Sequence, residues 1–256
     1  MKKKSPQIDN ADTLRRRLLF FAVGLLTFPG IRWINRLRIE GMDKLQLLPR
    51  QNVLFVCNHH TYFADVITLL HIFCAASWRR KKRLGFLPYY LLRPYVNVRF
   101  IAAATTMNKT WIARLFTLAG SISVKRSWVD KSDDALKGLD VHGVTEILEA
   151  LEQHWVITFP QGTTTPFAPG RRGTATLIKQ AKPIVIPVVF DGFRDAFDKS
   201  GLKLKKPGTQ LRVRFKDPLK IDYDQSSEVI LEQIMEAIEQ SDKFNPNFAS
   251  ITPPNS

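Results

Sequence analysis

Asn52-Val53-Leu54-Phe55-Val56-Cys57 is a short apolar run rich in strand-forming residues, and Asn58-His59-His60 follows it directly. Such a run reads as a buried strand. Residues 62–76 then read as a helix, which Thr61 could cap. The same alternation recurs on both sides of this unit. Residues 155–159 form the next apolar run and Pro160 stops it; 161–173 is a loop punctuated by Gly, Pro and Thr; 174–181 reads as a helix; 184–190 is another buried strand. Upstream, 111–118 is a short helix candidate and 121–124 is a strand after Gly120. Val144, Ile147, Leu148 and Leu151 recur at helical spacing, which marks a helix over 141–153. Residues 211–215 alternate apolar and basic, as a half-exposed strand does, and Ile230, Leu231, Ile234, Met235 and Ile238 mark a C-terminal helix. Strands alternating with helices predict a single α/β domain with a largely parallel sheet flanked by helices.

The domain is expected over residues 41–242, with a basic and apolar N-terminal membrane anchor over 1–40 and a flexible tail over 243–256. The anchor is drawn from a pattern. Lys2–Lys4 and Arg15–Arg17 precede residues 18–31, which carry no charge. That stretch is short of the roughly 20 apolar residues of a standard span. The Pro29-Gly30-Ile31-Arg32-Trp33 segment does not make a signal-peptide cleavage site. An interfacial segment fits better, with the arginines on lipid phosphates and the apolar residues in the acyl boundary. A second basic run, Trp78-Arg79-Arg80-Lys81-Lys82-Arg83, precedes Phe86, Leu87, Tyr89 and Leu92 and supports that reading.

The 38 Lys and Arg against 23 Asp and Glu give a net charge of +15, which favours anionic partners. Charge alone supports nucleic acid: the chain has no zinc-ligand spacing, RNA-binding aromatic signature or clear helix-turn-helix. Nucleic acid is therefore not expected as a partner. No metal site is expected. The two cysteines, Cys57 and Cys74, have neither disulfide nor metal spacing and read as buried apolar residues of a reducing, cytosol-facing protein.

The chemistry centres on Asn58-His59-His60-Thr61 and Asp65. Ligands of α/β folds bind at the carboxyl ends of strands. A His oriented by a carboxylate is a general base that can take a proton from a hydroxyl. A single His–Asp pair means little, but this one is the first of four blocks. The second is Gly120-Ser121-Ile122-Ser123-Val124-Lys125-Arg126, the third Phe159-Pro160-Gln161-Gly162-Thr163, and the fourth Pro183-Ile184-Val185-Ile186-Pro187-Val188. Arg172-Gly173 follows the third.

In order and spacing these blocks resemble the glycerophospholipid acyltransferase family. The resemblance implies transfer of a fatty acyl group from a thioester, acyl-CoA or acyl-carrier protein, to the hydroxyl of a lysophospholipid-type acceptor such as 1-acylglycerol-3-phosphate. The basic and apolar segments, the net charge and the cysteines add the expectation of a membrane-associated enzyme on the cytoplasmic face of an anionic membrane, with no cofactor beyond the thioester cosubstrate. The resemblance also implies His59 or His60 as base with Asp65, Arg126 and the Gly162-Thr163 segment on the acceptor's phosphate, and Gln161, Arg172 and Gly173 among the substrate-binding residues. Acylation of a non-glycerol lysolipid such as an aminoacyl lipid, and a noncatalytic lipid-binding protein on the same fold, are the alternatives. Lys125, Arg171, Thr164, Thr165, Asp191 and Arg194 are further candidates for the cleft.

Two departures stand out. His60 keeps the family's four-residue gap to Asp65, whereas His59 keeps the preceding Asn and the hydroxyl residue two after it. His59 is the preferred base and His60 the alternative. Gln161 stands where the family has Glu, so it brings hydrogen-bond donors in place of a charge. The chain has no Gly-x-Ser-x-Gly nucleophile elbow, so direct transfer without an acyl-enzyme is expected.

Overall fold

The structure is a computed structural model that describes residues 10–95, 97–103, 115, 117–124 and 141–247. In chain order the strands are β1 (Arg36–Glu40), β2 (Val53–Cys57), β3 (Val98–Ala103), β4 (Ser121–Val124), β5 (Trp155–Thr158), β6 (Ile184–Asp191) and β7 (Gln210–Phe215). The helices are α1 (Asn10–Phe28), α2 (Ala64–Ser77), α3 (Val141–Leu151), α4 (Arg172–Ala181), α5 (Phe193–Ala196) and α6 (Ser227–Ala237). The strands form one sheet in the order β1-β7-β6-β2-β5-β3-β4. Every neighbouring pair is parallel except β6–β7.

All five residues of β2 are buried, because helices cover both faces of the sheet. Val53, Phe55 and Cys57 join the core shared with α1 and α2, whereas Leu54 and Val56 join the core shared with α3, α4 and α6. This alternation is the period-2 geometry of a strand, with apolar residues needed at both parities. Pro187 sits inside β6, opposite Val56. Its carbonyl accepts from the Lys216 N–H, just past the last β7 partner. The missing N–H points to that same side, so the β2–β6 ladder is intact and only the reciprocal bond to Lys216, just beyond β7, is given up.

Two strands lie outside the expected set. In β1, Leu37 and Ile39 alternate with charged Arg36, Arg38 and Glu40, the pattern of an edge strand with one covered face. It falls within the stretch expected as N-terminal anchor, yet it pairs with β7. β3 contains Arg99 and Ala102–Ala103, which dilute its apolar signal. Of the helix expected over 111–118, Leu115, Thr117 and Leu118 are helical and the rest lies outside the described residues.

Helix α1 continues through a π-helical turn, Pro29–Ile34. The apolar helix Thr13–Ile34 is therefore 22 residues, long enough by length and composition to cross a membrane, and not the shorter segment its uncharged core indicates. One side is nevertheless packed on the domain: Phe20, Phe28 and Ile31 are buried, while Leu14, Leu18, Phe21, Leu25 and Leu26 are exposed.

Candidate active site

The central strands β2, β5 and β6 end at one pole of the sheet, and each hands over to a polar segment there. The side chain of Asn58 extends the β2–β6 ladder by one step. Its Nδ2 donates to the Phe190 carbonyl at 3.0 Å and its Oδ1 accepts from the Phe190 N–H at 2.7 Å. This fixes the start of the turn that carries both histidines.

Asp65 lies in the first turn of α2 and is fully buried. Its carboxylate collects four donors: His60 N–H at 2.6 Å, Thr61 N–H at 3.0 Å, the Thr61 hydroxyl at 2.8 Å and His59 Nδ1 at 3.0 Å. Burial pushes the carboxyl upward, but the bond from His59, the nearby His60 and the Thr61 amide outweigh it and hold it below the usual carboxylate range. Asp65 is thus an anion at neutral pH, set at a helix N-terminus where negative charge is favoured. Thr61 serves this carboxylate and not the helix: α2 has no side-chain cap.

The geometry separates the two histidines. His59 gives Nδ1 to Asp65, so Nδ1 carries the proton and Nε2 is left with its lone pair. Its ring stacks on Phe159, with centroids 4.0 Å apart and planes at 23°. That stack ties β2's turn to the Phe159-Pro160 end of β5. His60 meets Asp65 only through its backbone N–H. Because Asn58 Oδ1 is committed to Phe190, Nδ2 donates to His60 Nε2 at 3.3 Å. His60 is therefore the Nδ1–H tautomer, and that buried Nδ1 has no hydrogen-bond partner among the described residues. Burial lowers its pKa, Arg194 adds to the effect, and Asp65 opposes it.

The loop after β5 is held by its own contacts. Gly162 has φ +59°, and a Cβ there would come within 2.7 Å of the Arg171 guanidinium. Arg171 donates to the carbonyls of Gln161 at 3.1 Å and Gly162 at 3.4 Å. The Thr163 hydroxyl lies 3.2 Å from that of Thr165 and accepts from the Thr165 N–H, forming a local turn. Gln161 is buried, and its Nε2 donates to Ala168 O at 2.9 Å and Gln240 Oε1 at 3.2 Å. Its side chain is thereby engaged in closing the loop. Arg172 opens α4 and pairs with Glu228 of α6 at 3.1 Å, and Gly173 is buried in the same turn. Arg126 and Lys125 lie outside the described residues.

Two further groups reach this pole from the end of β6. Arg194 donates to Thr164 O at 2.8 Å and interacts electrostatically with both Asp65 and His60. Asp191 is paired with Arg214, which also binds Glu239 at 2.6 Å. That pairing, reinforced by Lys216, lowers the Glu239 pKa to about 2. Gln240, the next residue, takes the Phe167 N–H on its Oε1. Gln240 carries no local sequence signal for this role, since its partners lie in a loop more than 70 residues away.

The family model for Acyltransferase matches residues 36–191 of the 256. No curated protein matches the chain. Among solved structures, the chain is similar to the crystal structure of the 1-acyl-sn-glycerophosphate (LPA) acyltransferase, PlsC, from Thermotoga maritima. The identity is 14%, over 97% of this chain and 86% of that one, with a TM-score of 0.55. At that identity the likeness is one of fold, and it spans nearly the whole chain. The matched segment runs from the first residue of β1 to the last of β6 and contains the Asn58–Asp65 turn, the β5 loop and the second and fourth blocks: the chain belongs to the Acyltransferase family.

Proposed function

We propose that this acyltransferase moves a fatty acyl group from a thioester, acyl-CoA or acyl-carrier protein, to the hydroxyl of a lysophospholipid-type acceptor such as 1-acylglycerol-3-phosphate. The observation that carries the reading is the His59–Asp65 pair, which leaves His59 Nε2 as the basic atom at the strand ends. In the reaction, Nε2 takes the acceptor's hydroxyl proton as the oxygen attacks the thioester carbonyl. Asp65 stabilises the imidazolium that forms. The tetrahedral intermediate collapses, the C–S bond breaks, and His59 returns the proton to the departing thiolate. Oxyester and free thiol are the products, and no atom is left over. Arg194, Arg171 and the positive-φ Gly162 offer the phosphate of the acceptor a cationic surround.

Membrane association belongs to the same reading. The exposed side of α1 and the exposed Phe86, Leu87, Tyr89 and Leu92 are tied together by Trp33, whose Nε1 donates to Phe86 O at 3.0 Å. An apolar surface with Arg15 and Arg17 at its edge suits a helix lying in an anionic interface. We place the protein on the cytoplasmic face, in keeping with the unpaired Cys57 and Cys74. The test is a lysolipid acceptor screen with both thioester donors, read by mass spectrometry. Transfer to a phosphate-bearing lysolipid is expected. Thioester intact against every lysolipid would end the reading.

A further inference from the structure

At the opposite pole of the sheet, β2, β3 and β5 begin, and a depression of about 1250 Å³ lies among the loops that lead into them. Arg17, Arg50, Arg79, Lys81 and Arg93 line it, and no Asp or Glu does. Among the described residues, no carboxylate pairs with any of the five. The floor is apolar: Phe73, Tyr95 and Trp155 contribute to it. The rim is apolar and open to solvent, with Leu47 86% and Leu92 70% exposed.

The walls are fixed through backbone carbonyls. Asn97 Nδ2 donates to Arg50 O at 3.0 Å and Trp155 Nε1 to Pro49 O at 2.7 Å. Trp78 Nε1 donates to Arg93 O at 3.3 Å and Gln46 Nε2 to Arg80 O at 3.0 Å. The loops are thus tied down without using the cationic heads. Five like charges around one hollow repel one another, and an anion seated among them relieves that repulsion. An apolar floor and rim beside a cationic ring fit a molecule with both a phosphate and hydrocarbon. Leu92 shares a short helical turn, Tyr89–Leu92, with exposed Tyr89 of the apolar face.

We propose that this depression binds the phosphate headgroup of an anionic membrane phospholipid, at a site separate from the catalytic pole. Helix α2 spans the distance: Asp65 is in its first turn, and Phe73, Ala76 and Ser77 line the depression at its far end. Twelve residues of helix put the two sites roughly 18 Å apart. The choice of a lipid as the phosphate source rests on the membrane reading above; the cationic hollow does not.

The test titrates the full chain with dihexanoylphosphatidylglycerol below its micelle-forming concentration, followed by native mass spectrometry. This diester is neither the proposed acceptor nor its product. Arg50→Gln/Arg93→Gln should weaken binding roughly tenfold or more, and Lys81→Glu, on an exposed loop, severalfold. Unfolding temperature and thioester turnover should stay at the parent's values. Unchanged lipid binding in both variants overturns the proposal. Inorganic phosphate bound as tightly as the lipid replaces it with a free-phosphate site. Loss of transfer from acyl-carrier protein alone, with lipid binding kept, replaces it with a carrier-docking surface. Lipid binding that depends on these residues in a chain inert towards every thioester leaves this site standing and removes the acyl-transfer reading.

Discussion

Asp65, in the first turn of the helix after β2, and Gln161, in the loop after the adjacent β5, are both buried, and they solve opposite problems. Asp65 is a charge surrounded by donors; Gln161 is a neutral donor surrounded by oxygens. Around Asp65 the turn supplies N–H groups that nothing else satisfies, so a carboxylate belongs there. Around Gln161 the loop supplies the Ala168 carbonyl and the segment after α6 supplies Gln240 Oε1, so a group with hydrogens fits there. Gln240 cannot flip to accommodate a carboxylate without cost, because Phe167 N–H holds its oxygen in place and its own Nε2 donates to Glu239 O. The Gln161 departure from the family pattern is thus matched by its surroundings. One site holds the His59 ring in place; the other holds the loop beside it.

The comparison breaks hardest at Asp65. Asp65→Asn keeps the shape but removes the charge that orients His59 and stabilises its imidazolium. The expected fall in kcat is on the order of 10³- to 10⁴-fold, measured by acyl transfer. His59→Ala should cost about 10²- to 10⁴-fold, and His60→Ala less than His59→Ala, with its larger effect on stability. Full activity in His59→Ala and loss in His60→Ala would reverse the assignment. Acid unfolding gives a second measure. The folded Asp65 pKa is depressed, so its stabilisation is present above the unfolded value of about 3.9 and disappears as pH falls through the lower folded value. Asp65→Asn should flatten that acid limb.

Gln161→Glu sharpens the same contrast from the other side. A carboxylate would face two oxygens, so denaturant unfolding at neutral pH should show a loss of about 1–3 kcal/mol. The new group's folded pKa is raised, because only its protonated form donates. Its deficit should therefore be small below the unfolded Glu pKa and grow as pH rises through the folded one. A deficit that does not change with pH would contradict the donor role.

Much of this was legible in residues 52–65 alone. The run Val53–Cys57 is apolar at both parities, which requires a strand covered on both faces, and the polar Asn58-His59-His60 turn must then emerge at its carboxyl end. The expected ranges for β4, β5 and β6 differ from the observed ones by a residue or less, because Gly120, Pro160 and Pro183 punctuate them. Spacing could not separate His59 from His60. Which ring reaches Asp65 depends on how the backbone of His60 and Thr61 wraps the carboxylate, and that is a property of the turn. The Gln161–Gln240 contact is hidden for a different reason: it is tertiary, and neither residue carries a periodic or motif signal for it. β1 was missed because an edge strand with alternating charge looks like a continuation of a basic N-terminal segment.

Arg172 offers the smallest and most discriminating measurement. Its Nε–Glu228 pair is solvent-exposed at both ends, so Arg172→Gln should leave the unfolding midpoint almost unchanged. The family resemblance places the same residue on the acceptor's phosphate. If the side chain leaves Glu228 for the substrate, KM for a phosphorylated lysolipid should rise while kcat holds, since binding is lost equally from ground and transition states. Glu228→Gln then separates the two roles. It frees Arg172 without removing it, so KM should stay level or fall. Equal KM values in all three chains would assign Arg172 to the α4–α6 contact alone and leave Arg126, together with Arg171 and Arg194, which already grip the β5 loop, as the candidates for the phosphate.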